Sequence, residues 1–400
     1  MQDGPRARDP TGDRPVPAMP LATLTFLCSL GTGVLWNAIF FIAKAEYGFS
    51  ETDSLLLAFA NGILYTVVAM GAGRYVRLAG RRFSPRSALG LVLLAQALLA
   101  PLVVLFPGRP MLWLVATSLS ALGALQWPIV QAFLSAGRHG PEMRAAIGWF
   151  NASWMAATAI GLALTGPLER LHLTQWAIPS LLPINLAALG LLALFPSHPP
   201  HHSADEAARH VPRSYRPLLA ASRVLHPMGY LVIGALAPIL PYLFSRLGTA
   251  AALQAPVGST WHVARLIAVL ILWQTTFWHG RATMLAVAGV LLAGGFGIAV
   301  AAPNEQALVV GLAALGAGQG VIYYSAIYYG LAVGSAEVEA GGIHEALVGA
   351  GYFVGPGIGL VVGALGGGPS VFIGAVLGAL CVGGAFAALR GARASSQSTA

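Results

Sequence analysis

The sequence predicts an all-α polytopic membrane protein, with twelve transmembrane helices in two pseudo-symmetric six-helix bundles. Composition, the count of long apolar runs and an internal repeat each point to it. Of 400 residues, 56% are hydrophobic and 9% charged, and the mean hydropathy is +0.72. Water-soluble domains carry about 25% charged residues, so the bilayer is the solvent this chain fits. The net charge of +8 would point to nucleic acid in a soluble chain, but here the basic residues sit between apolar runs. The two cysteines, Cys28 and Cys381, lie in apolar stretches near opposite ends of the chain. They exclude a disulfide scaffold and a cysteine zinc site.

A membrane helix needs about 20 mostly apolar residues, and scanning between charged or Pro/Gly-marked breaks gives twelve spans. The tail 1–19 is Pro-rich and mixed in charge, and the first run, 20–42, lacks a small-residue cleavage pattern, so it is read as a retained helix. The spans 54–74 and 86–106 flank an arginine-rich break. Spans 111–135, 145–165 and 175–195 are set off by Arg109, by Arg138 and Arg144, and by Arg170. Residues 197–221, rich in Pro and His with charges of both signs, read as a cytoplasmic linker between halves 20–196 and 222–389. The second half holds spans 222–244, 257–278, 282–302, 307–332, 342–364 and 370–389, and 390–400 forms a cytoplasmic tail. Pro128, Pro179, Pro183 and Pro356 are tolerated, since neighbouring helices satisfy freed backbone groups.

Orientation follows from arginine. With the amino terminus inside, the inner segments hold Arg6, Arg8, Arg14, Arg74, Arg77, Arg81, Arg82, Arg86, Arg138 and Arg144 in the first half. Arg209, Arg213, Arg216, Arg223, Arg281, Arg390 and Arg393 follow. The outer segments hold only Lys44, Arg109, Arg170 and Arg246, and Arg265 is left within a helix. This asymmetry puts both termini in the cytoplasm, by expectation at the cell (inner) membrane, and accounts for the charge without nucleic acid.

An offset of 193 residues aligns Leu119, Ala121, Leu122, Gly123, Ala124, Gln126 and Ile129 with Leu312, Ala314, Leu315, Gly316, Ala317, Gln319 and Ile322. It also pairs Gly148 with Gly341 and Asn151 with His344. Spans four and five thus read as duplicated in ten and eleven, as parallel six-helix repeats require. After span two, GRYVRLAGRR runs from Gly73 to Arg82. It resembles the major facilitator superfamily signature G-x-L-A-D-R-x-G-R-K between helices two and three. Gly73, Gly80, Arg81 and Arg82 match, and Arg77 stands where the family has an acid. Gly280 and Arg281 are a remnant of the same signature after span eight. The resemblance implies alternating access by a monomeric carrier of a small molecule, but no particular substrate.

Ionisable groups in hydrocarbon mark candidate transport sites, because each is costly unless paired or wet. Of 14 acids only Glu345 falls within a span, beside His344. The pair reads as a proton-coupling site, or Glu345 as an interfacial cap of the first turn of helix eleven. Arg265, with His262 and Trp261 one turn away, is expected about a third of the way in from the outer side, with no acid at its depth. It reads as an anion-binding residue or as a structural arginine held by backbone carbonyls or a polar neighbour. Gln126, Gln319, Asn151 and Asn37 are candidate substrate ligands, with Tyr323 and Tyr324 beside them, though interhelical hydrogen bonds serve amides equally well. Gln131, Asn61 and Asn185 add further amides. Tyr328 and Tyr329 are read as interfacial belt residues. Trp36, Phe40, Trp149 and Trp154 lie on helices expected to line the cavity. Gly355 and Gly359 have the spacing of close helix contact.

The leading function is a secondary active transporter of a small organic solute, possibly anionic. The rivals are an exporter of amphipathic drug-like compounds and, from another class, a multispan transferase using His344 and Glu345 as acid and base. No phosphate loop, cofactor motif or metal set is expected, and His198, His201 and His202 are a poor metal site.

Overall fold

In the computed structural model, residues 15–79, 83–138, 140–199, 212, 214–333 and 338–399 are described. Among them there is no strand. Twelve helices are long and apolar enough to cross a bilayer: α1 Ala18–Tyr47, α2 Glu51–Val76, α3 Pro85–Leu105, α4 Arg109–Ser135, α5 Pro141–Arg170 and α6 Thr174–Leu194 in the first half. The second half has α7 Tyr215–Leu236, α8 Ala251–Gln274, α9 Ala282–Val300, α10 Glu305–Gly330, α11 Gly341–Ala364 and α12 Pro369–Ser395. An even number of crossings brings both termini to one end.

The helices overrun the expected spans where nothing stops them. α2 begins at Glu51 because Ser50 and Asp53 cap each other: the Ser50 N–H donates to Asp53 Oδ2 at 2.9 Å and the Asp53 N–H to Ser50 Oγ at 3.1 Å. α7 begins seven residues early, at Tyr215, so the connection between the halves is shorter than 197–221. The helix of α12 continues past the apolar span to Thr399, through the expected tail, where no proline interrupts it and Gly391 is the one weak helix former. Gly80, Arg81 and Arg82 of the loop signature and residues 200–211 of the linker lie outside the described residues, as does the Arg77 side chain; Gly73 is buried in α2.

Two irregularities position the site. Val34–Ala38 in α1 is a π-helical turn, which shifts Trp36 and Asn37 relative to a regular helix. α8 breaks at Ser259, between Ala251–Gly258 and Thr260–Gln274, after Pro256 has removed a backbone donor.

The halves meet along α2 with α11 and α5 with α8, and small residues allow the approach. A Cβ at Gly62 would fall 2.5 Å from the Phe353 nitrogen, and one at Gly349 2.9 Å from that of Thr66. The repeat-related glycines Gly148 and Gly341 face Trp273 and Pro128, each in the opposite half. At the terminus-bearing end Arg144 of α5 donates to the Trp273 carbonyl at 2.8 Å and the Thr275 carbonyl at 3.1 Å. At the opposite end Lys44 of α1 donates to the Pro241 carbonyl at 2.8 Å and to Ser245, on the short helix Leu240–Arg246. Tyr242 there donates to the Phe49 carbonyl at 2.8 Å. Both ends of the inter-half seam are therefore closed. Large side chains left outside, such as Met70, Val290 and Val382, form the apolar belt a bilayer requires.

Candidate functional site

The closed seam encloses a small aromatic cavity midway along the bundle. Trp36, Tyr65, Trp127, Phe150 and Trp154 line it from the first half, and Tyr230, Tyr323, Glu345, Val348 and Tyr352 from the second. The π turn in α1 brings Trp36 face to face with Tyr352 across the seam, ring centres 4.2 Å apart. Trp154 and Tyr323 stack across it at 5.0 Å. The free space is about 30 Å³, enough for a water molecule or two, so the side chains are collapsed around the centre.

Arg265 adjoins this cavity. Its guanidinium lies 4.2 Å from the Trp154 ring centre and 4.8 Å from that of Trp261. Nη1 donates to Gln319 Oε1 at 3.2 Å, Nη2 meets His262 Nδ1 at 3.0 Å, and Nε has no partner. The side chain is 1% exposed. Two aromatic faces and one amide oxygen only partly replace its hydration, and among the described residues no carboxylate is bound to it. Arg265 is the sixth of the fifteen residues of Thr260–Gln274, a third of the way along that segment and about two and a half turns from its Gln274 end.

Glu345 is at comparable depth, two turns into the full helix Val338–Ala364, which starts three residues before the apolar span α11. Buried there, it accepts from Tyr65 Oη at 2.6 Å and from Gln131 Nε2 at 2.5 Å, both in the first half. This corrects the interfacial-cap alternative, because that helix starts earlier than its hydropathy indicates. The expectation that no acid shares Arg265's depth is corrected as well, although the two groups form no ion pair. His344 turns the other way. Its ring stacks on His226 of α7 at 4.3 Å, so neighbouring residues on α11 face different halves.

The remaining candidates divide. Tyr323, Gln319 and Trp261 belong to the Arg265 neighbourhood. Gln126 instead lines a separate small cavity inside the first half with Gln96 and Asn185. Asn151 is spent on its own helix, donating to the Ile147 carbonyl at 2.8 Å, and its Oδ1 is unpartnered, as is Asn37 Oδ1. Tyr324 points away from the cavity, into a cluster with Trp278 and Tyr328. Tyr329 is 1% exposed in that cluster and accepts from the Gly280 N–H, so it is no belt residue. Phe40 is core, and Trp149 packs on Trp273.

Sequence reasoning missed Tyr65, Tyr230, Tyr352 and His226. His226 is fully buried with neither ring nitrogen partnered, and a histidine inside span seven was its only advance signal.

The sequence pattern of the Major Facilitator Superfamily matches residues 21–329. A solved structure described as the human organic anion transporter MFSD10 (TETRAN) superposes with a TM-score of 0.65, at 14% identity over 92% of this chain and 98% of that one. No curated protein sequence matches. Twelve membrane-spanning helices in two joined halves, a central aromatic cavity between them and a family pattern covering most of the chain lead to one assignment: this protein belongs to the Major Facilitator Superfamily of membrane transporters.

Proposed function

We propose that the protein is a secondary active carrier of a small organic anion with an apolar body, working as a monomer by alternating access. The observation that carries this reading is Arg265: a buried guanidinium without a carboxylate partner, set against an aromatic cavity between the halves. A bound carboxylate or sulfonate would supply the missing charge, and the aromatic walls would cover the rest of the solute. The cross-seam stacks Trp36–Tyr352 and Trp154–Tyr323 would open to admit it. The description of MFSD10 as an organic anion transporter agrees with that chemistry. Glu345, buried between donors of the first half, serves as the proton-coupling group. The arginine asymmetry orients the terminus-bearing end toward the cytoplasm, at the cell (inner) membrane.

Proteoliposomes and a panel of aromatic and aliphatic carboxylates and sulfonates test this. Arg265→Gln is expected to raise KM for the transported anion at least tenfold, with folded protein retained. Unchanged anion transport by Arg265→Gln overturns the assignment. The aromatic walls favour a second reading, export of amphipathic drug-like compounds; neutral and cationic amphiphiles moved equally well by wild type and Arg265→Gln would select it.

A further inference from the structure

On the membrane face of the second half, α7, α9 and α12 leave a groove of about 530 Å³ floored by Ile322 of α10. Its lining is mostly apolar: Leu225 and Met228 of α7, Leu285 and Val290 of α9 and Leu380 of α12 form the walls. Small residues make the space, and a Cβ at Gly289 or Gly384 would meet no atom within 4 Å.

Its position matches one leaflet. On α9 the lining runs from Ala282, the first residue of the helix, to Ala293, a rise of roughly 16 Å. Half of a bilayer's hydrocarbon core is about 15 Å. On α12 the groove reaches Ala388, and on α7 Ala221, both toward the terminus-bearing end. The groove therefore begins at that surface and ends near the midplane.

Among the described residues the exposed charges at its mouth are basic. Arg216, Arg281 and Arg390 stand exposed at the terminus-bearing ends of α7, α9 and α12, the three helices that frame it. No acid among the described residues lines the groove. A basic rim above an apolar slot of leaflet depth complements a lipid with a negative headgroup.

We propose that this groove is a binding site for one acyl chain of an anionic phospholipid, its phosphate held by the arginine rim. The site is distinct from the central cavity, although Ile322 on its floor adjoins Tyr323 in the cavity wall.

Cys381 provides a reporter, because it is an exposed free thiol in the groove, whereas the other cysteine, Cys28, is buried. Purified protein in detergent is titrated with dioleoyl phosphatidylglycerol or dioleoyl phosphatidylcholine, and the rate of Cys381 modification by N-ethylmaleimide is measured. Phosphatidylglycerol is expected to slow modification at a concentration at least tenfold below that needed with phosphatidylcholine. Replacing all three of Arg216, Arg281 and Arg390 by Gln should bring the two lipids to the same concentration. In Gly289→Leu, which fills the slot, phosphatidylglycerol should no longer slow modification. Equal potency of the two lipids on wild type, preference surviving the triple replacement, or protection surviving in folded Gly289→Leu overturns the proposal. Native mass spectrometry of the wild type gives an independent reading, with one phosphatidylglycerol retained in preference to phosphatidylcholine, and absence of that preference counts against it.

Discussion

Glu345 Oε2 of α11 accepts a hydrogen bond from the Tyr65 hydroxyl of α2 at 2.6 Å, so the buried acid of the second half is held by a donor of the first. Opening the seam on this side must break that bond and the one from Gln131. The carboxylate's surroundings are thereby coupled to the conformational state, as alternating access with proton coupling requires.

Glu345→Gln keeps the size of the side chain and removes its titration. Accumulation driven by a pH gradient should be abolished in proteoliposomes, while counterflow exchange of the same solute remains within a few-fold of wild type. Accumulation by the variant under a proton gradient alone would remove Glu345 from the coupling role.

Lys44 latches the end opposite the termini, donating to the Pro241 carbonyl and Ser245 with its ammonium 4.9 Å over the Tyr242 ring. Hydrogen bonds from charged groups contribute about 1.5–3 kcal/mol. Lys44→Met should shift the population toward opening at that end by roughly ten- to a hundredfold. Spin-label distances between α1 and the helix Leu240–Arg246 would report it, and an unaltered distribution contradicts the latch.

Glycines inside one half and across the seam should behave differently. A Cβ at Gly316 would lie 2.1 Å from the Trp261 carbonyl oxygen, within the second half, so Gly316→Ala strains the fold itself. Its cost should be about 1–3 kcal/mol, seen as a lower Tm. Gly62→Ala strains the contact with the Tyr352–Phe353 backbone across the seam. It should leave Tm nearly unchanged while lengthening the α2–α11 distance in spin-label measurements.

His279, in the connection between α8 and α9, has its pKa lowered from the ordinary 6.5, first by burial and then by Arg144. The unfolded chain therefore binds more protons than the folded one just below pH 6.5, and stability falls as the pH drops through that window. Tm should decline between pH 7.5 and pH 5, and His279→Gln should flatten part of the decline. The bond between His279 Nδ1 and Tyr215 Oη, 3.2 Å long, ties this to the packing of α7 on that connection. An identical pH profile in wild type and variant would refute the link.

The number, order and approximate ends of the membrane helices were legible in the sequence because they depend on local physics. A run of apolar residues long enough to cross the bilayer is favourable whatever its neighbours. The repeat and the family resemblance were legible for a related reason, as identities at one constant offset need no contacts to be recognised. The centre of the site was only half legible. Arg265 and Glu345 stood out because charge is costly in hydrocarbon, and both are buried where the halves meet. Their environment belongs to the tertiary structure alone. Most of these helices are apolar on every side, so periodicity does not say which face meets lipid and which meets the other half. Tyr65, Tyr230 and Tyr352 therefore looked no different from belt or core residues, and Tyr324 looked as good a ligand as Tyr323. His344 and Glu345 read as one proton pair because they are adjacent in sequence. On a helix adjacent residues point about 100° apart, and only the packing of α7 on one side and α2 with α4 on the other separated their partners.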